Sequence, residues 1–113
     1  MKDLNISKEL VVSVLAEETE NLTYDFISDV EDNYIIFSDE GECQFEVNIY
    51  EFIYKCKEWA LSKGYFIYST YELAFIKTLS LETIETFSNG KDTEIECILK
   101  ACEWILEELN ENR

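Results

Sequence analysis

A chain of 113 residues that is 47% hydrophobic and 14% aromatic carries enough apolar surface to fold as one domain without staples, which excludes disorder despite a net charge of −16. With 25 acids against nine bases, the surface repels nucleic acid and anionic membrane and attracts cationic protein surfaces. No uninterrupted apolar stretch approaches the ~18 residues of a membrane span, no basic-plus-apolar leader precedes the first element, and Cys43, Cys56, Cys97 and Cys102 show no C-x-x-C pairing, so the sequence predicts a reduced cytoplasmic protein without disulfides.

Proline is absent, so no linker stands out, and Gly41, Gly64 and Gly90 read as punctuation between elements. Ser7 can cap a first helix running to about Glu18, with Leu10, Val11, Val14 and Leu15 as its apolar stripe; the β-branched run Leu10 to Leu15 also fits a strand. From Leu22 to Asp29 apolar and polar residues alternate, and Tyr34 to Phe37 form a short apolar run, both consistent with strands. Cys43 to Val47 alternates again. The turn-forming segment Ser38 to Glu42 makes Tyr34 to Val47 a hairpin with an acidic tip in water.

Asn48 with Glu51 three residues on resembles a capping box, and Ile49, Phe52, Ile53, Cys56, Trp59 and Ala60 recur at helical spacing until Gly64, predicting a helix over 49–63. Tyr65 to Leu79 favours strands broken near Ser69 and Thr70, and Leu81 to Phe87 fits another. Thr93 with Glu96 repeats the capping logic ahead of Ile95, Ile98, Leu99, Cys102, Ile105, Leu106 and Leu109, a helix over 94–109. The segments starting at Glu51 and Glu96 match at six of eleven positions, but their flanks do not, so the likeness reads as convergence of two capped amphipathic helices. The expected architecture is a single α+β domain: an antiparallel sheet packed against two amphipathic helices, with an N-terminal helix beside them.

Chemistry is constrained by what the chain lacks. Without histidine, the commonest near-neutral proton carrier and the Cys-His and Ser-His nucleophile pairs are missing. Arg113 is the sole arginine, the lysines are scattered, and there is no Gly-rich phosphate loop. Cys97 and Cys102 lie roughly 140° apart around one helix and cannot face one metal; Asp39, Glu40 and Glu42 lack the spacing of a calcium loop. The sequence thus predicts no catalytic residues, metal or cofactor.

The charge is concentrated. Residues 1–50 hold 13 acids and two lysines, and between Asp25 and Glu46 eight carboxylates (Asp25, Asp29, Glu31, Asp32, Asp39, Glu40, Glu42, Glu46) stand with no Lys, Arg or His among them. These are the candidate partner-binding residues. A single strand row is too sparse to imitate a nucleic acid, so mimicry requires neighbouring strands and loops to contribute to one patch. A second candidate surface comes from apolar residues beside the two helical stripes: Tyr50, Tyr54 and Leu61 on the middle helix, and Cys97, Ala101 and Trp104 on the last. If exposed, these flanks would support a homodimer.

The stretches Asn48 to Tyr65 and Ile98 to Leu109 resemble small prophage and mobile-element proteins of unknown function, which implies an accessory phage protein and carries over no site residues. In size and acidity the chain is similar in character to anti-CRISPR and anti-restriction inhibitors. The expected function is a non-enzymatic inhibitor that covers a cationic nucleic-acid-binding site on a protein, with no direct nucleic-acid or membrane partner. The alternative is a self-associating interaction module whose acidity serves solubility.

Overall fold

The computed structural model describes residues 6–22, 26–70, 73–78, 80, 82–87 and 93–111. It is an α+β structure with two three-stranded antiparallel sheets in place of the single sheet predicted. The chain groups into two compact units, Met1–Tyr54 and Lys55–Arg113.

In the first unit, Ser7 caps α1 (Lys8–Val14) by accepting a hydrogen bond from the Leu10 amide at 3.1 Å. The helix breaks at Leu15, whose backbone leaves the helical region, and one further turn follows as α2 (Ala16–Thr19). Thr19 is buried yet satisfied, its hydroxyl donating to the Leu15 carbonyl at 2.8 Å. The helical reading of this segment therefore holds over the strand alternative. The predicted Leu22 to Asp29 strand begins later, and residues 23–25 fall outside the description.

Strands β1 (Ile27–Glu31), β2 (Tyr34–Asp39) and β3 (Glu42–Asn48) pair in sequence order with β2 at the centre. Both connections are two residues long. Glu40 and Gly41 take φ values of 54° and 83°, the pair of positive dihedrals whose twist matches the flanking strands, while Asp32 at 54° opens the other turn. A bulge between Phe37 and Ser38 leaves Gln44 as the extra residue on β3. On the inner face Phe37 is fully buried, stacked on Phe45 at 4.5 Å and tilted against Phe26 at 6.2 Å.

Helix α3 (Ile49–Ser62) follows β3 directly. The Asn48 side chain accepts from the Tyr50 amide at 2.9 Å, and the Ile49 amide donates to the Asn33 carbonyl at 2.7 Å. At its other end Gly64 has φ 93°. The Tyr65 amide reaches the Ala60 carbonyl and the Gly64 amide reaches that of Leu61, so the last carbonyls are satisfied as the chain turns away.

In the second unit β4 (Phe66–Thr70), β5 (Leu73–Lys77) and β6 (Thr83–Phe87) form an antiparallel meander, and α4 (Glu94–Glu111) lies across all three strands. Thr93 and Glu96 form the predicted cap: the Glu96 amide donates to Thr93 Oγ1 at 3.3 Å and that hydroxyl donates back to Glu96 Oε1 at 3.2 Å. Ile67, Ala74 and Ile76 from the sheet and Ile98, Cys102 and Ile105 from α4 are buried. One polar bridge joins three elements of this unit: Lys57 Nζ on α3 donates to Ser69 Oγ on β4 at 2.9 Å, and that hydroxyl donates to Glu94 Oε1 on α4 at 2.6 Å.

Candidate functional site: the outer face of the first sheet

Strand alternation and register decide where each carboxylate goes. Residues directly opposite in a sheet share a face, and the pairing sets Asp29, Ile36 and Glu46 in one row, Glu31, Tyr34 and Asn48 in the next, and Ile27, Ser38 and Cys43 in a third. These rows form the face opposite the buried Phe37 and Ile35. Ile27 is 65% exposed and Tyr34 41%, and Asp29, Glu31 and Glu46 are all exposed. The face thus has an apolar strip framed by carboxylates. Asp29 and Glu31, two residues apart, are separated by about 7 Å; Asp29 and Glu46, two strands apart, by about 10 Å. These spacings are close to the screening length of roughly 8 Å, so the fields of the three groups overlap.

The remaining predicted residues do not join them in one patch. Asp32 continues the acidic end in the β1–β2 turn next to Glu31. Glu40 and Glu42 lie at the other end of the sheet, Glu42 four residues or about 13 Å along β3 from Glu46 and beyond one screening length. Asp39 corrects the expectation of a water-facing acidic tip: its residue is only 9% exposed. The tight turn at Glu40 and Gly41 fixes its parity, placing Asp39 opposite Glu42 and two residues from Phe37, on the inward side. Asp25 lies outside the described residues.

The proposed self-association surface also divides. On α3, Tyr50, Tyr54 and Leu61 are 59%, 66% and 51% exposed. On α4 the expectation fails: Cys97 and Ala101 are fully buried, and Trp104 is half-buried with its ring edge-on to Tyr65 at 6.0 Å. The buried arc of α4 is wider than its main stripe, which leaves these two small side chains nothing to offer another copy.

The residues that sequence reasoning missed are Ile27, Tyr34 and Ile36, the apolar part of the face. Their signal was present, since Ile27 alternates in phase with Asp29 and Glu31.

Other features do not assemble a reaction centre. No group of three or more His, Cys, Asp or Glu side chains among the described residues could hold a metal ion. None of the four cysteines is disulfide-bonded; Cys43 is exposed, and burial pushes the Cys56 thiol far above its ordinary value, helped by a hydrogen bond with Cys102. An open groove of about 890 Å³ runs along α1 and α2, with Val12, Ala16, Leu22 and Phe26 as apolar lining and Lys8, Glu9 and Glu20 among its polar groups. Lys8 Nζ sits 4.4 Å over the Phe26 ring, so its charge is directed at an aromatic face. No described helix is long and apolar enough to cross a membrane. No protein-family model, curated protein or solved structure matches the chain.

Proposed function

We propose that this is a non-enzymatic binding protein that uses the outer face of its first sheet to cover a cationic, partly apolar site on another protein, a basic nucleic-acid-binding surface being the partner class its charge best suits. The observation that carries this reading is the arrangement of Asp29, Glu31 and Glu46 around Ile27, Tyr34 and Ile36. Protein interfaces commonly place an apolar centre inside a polar rim, and a rim of one sign selects partners of the other and speeds their encounter. Three carboxylates spaced 7 to 10 Å apart are too sparse to copy a duplex strand by themselves, so affinity in this reading is shared between ion pairing and burial of the apolar strip. An inhibitory role against a nucleic-acid-processing protein, a phage origin and a cytoplasmic setting belong to the same proposal; four cysteines without a disulfide suit a reducing compartment.

The test is capture of proteins from a bacterial lysate on the immobilised chain at about 0.05 and 0.5 M salt, followed by displacement with duplex or single-stranded nucleic acid. The reading expects a basic protein that is lost at high salt, displaced by nucleic acid, and bound at least about tenfold more weakly by the Asp29→Asn/Glu31→Gln/Glu46→Gln variant. A Glu40→Gln/Glu42→Gln variant, altered at the far end of the sheet, should bind as before. Equal capture by the first variant would reject the assignment of this face.

A further inference from the structure

In the second sheet the alternation that buries Ile67, Ala74 and Ile76 turns Phe66, Tyr68, Leu73, Phe75 and Lys77 to the side away from α4. Phe66 remains 38% and Tyr68 49% exposed, and Ile84, the extra residue at the β5–β6 irregularity, is 43% exposed. Tyr68 and Phe75 lie with ring centroids 6.1 Å apart, and Lys77 Nζ sits 5.5 Å over the Tyr68 ring. Among the described residues of the three strands, this face has no carboxylate: Glu85, the one acid on them, pairs with Ile76 on the α4 side. In a chain with 25 acids, an aromatic face whose one charged side chain is a lysine is a departure from the rest of the surface.

We propose that this face is a homodimerisation surface on which a second copy docks sheet to sheet. Charge selects that occupant. A cationic partner gains nothing from a face with no acid among its described strand residues, and a nucleic acid meets one lysine where useful affinity needs several neutralised phosphates. A second chain of charge −16 is repelled wherever carboxylates confront each other, and here they do not. An antiparallel sheet face also suits isologous packing at the usual intersheet distance of about 10 Å. Three strands about 4.8 Å apart and five residues long present about 240 Å² of sheet plane, below the ~800 Å² per partner of a standard interface. The dimer is therefore weak and concentration-dependent.

Sedimentation velocity of the full chain between about 10 µM and 1 mM, at about 0.05 and 0.5 M salt, tests this. Self-association should grow with concentration and strengthen with salt, because screening removes repulsion between the acidic bodies while leaving the apolar contact. Tyr68→Glu should weaken it at least tenfold. Thr86→Glu, an exposed position opposite Phe75, adds a carboxylate without removing an aromatic ring and should do the same with an unchanged circular dichroism spectrum. Tyr54→Glu on α3 should have no effect. A monomer at 1 mM in high salt, dimerisation unaffected by Thr86→Glu, or dimerisation abolished by Tyr54→Glu would each overturn the assignment.

Discussion

Replacing Ser69 with Ala should destabilise the second unit by about 1–3 kcal/mol. The hydroxyl accepts from Lys57 Nζ at 2.9 Å and donates to Glu94 Oε1 at 2.6 Å, so one atom links α3, β4 and α4. Hydrogen bonds to charged groups contribute about 1.5–3 kcal/mol each when buried; here all three residues are half-buried, and Lys57 and Glu94 can regain water, which lowers the combined loss. For a chain of this length, with a urea slope on the order of 1.5 kcal/mol/M, the expected midpoint shift is about 0.7–2 M. Trp59 and Trp104 both belong to this unit, so urea unfolding followed by tryptophan fluorescence reports on it directly. Ser69→Thr retains the hydroxyl on a side chain suited to a strand and should recover most of the loss. A double-mutant cycle with Glu94→Gln should show coupling of at least about 0.5 kcal/mol. A change below 0.5 kcal/mol in Ser69→Ala, or Ser69→Thr as damaging as Ser69→Ala, would refute the bridge as a stabilising element.

Three further outcomes follow from the backbone and the thiols. Glu40 holds φ 54° in the β2–β3 turn, a conformation that asparagine adopts more readily, so Glu40→Asn should raise stability by about 0.5–1 kcal/mol and the melting temperature by about 2–5 °C in a calorimetric scan. Cys43 is exposed while Cys56, Cys97 and Cys102 are buried, so iodoacetamide should add one equivalent to the native chain by intact mass and four after unfolding. Burial raises the Cys56 thiol from its ordinary 9.0, so above that pH the unfolded chain gives up a proton that the folded chain keeps. Stability must then fall as pH rises, by up to about 1.4 kcal/mol per unit for this group, and urea titrations between pH 9 and 11 should show a shallower decline in Cys56→Ala.

The helices were legible in the sequence because their signals are local: Asn48 and Thr93 supply the caps, Gly64 the left-handed stop, and the apolar stripes the 3.6-residue period. The β2–β3 hairpin was legible for the same reason. The number of sheets was not, because strand alternation says nothing of which strands pair, and here pairing stays within each group of three consecutive strands. Nor did the wheel of α4 reveal that Cys97 and Ala101 would be buried. For the candidate site, the carboxylates were plain but their facing was not. The inward turn of Asp39 depends on the connection being two residues long, a matter of one residue's parity that a generic acidic loop conceals.

The outward carboxylates of the first sheet have a further consequence. Asp29 and Glu31 sit on β1 and Glu46 on β3, the two edge strands, while the central β2 presents Tyr34, Ile36 and Ser38 on that side. The same strand of a second copy adding to either rim in register would bring like charges within one interstrand spacing of about 4.8 Å, a standing deterrent to fibrous growth from an aromatic-rich chain.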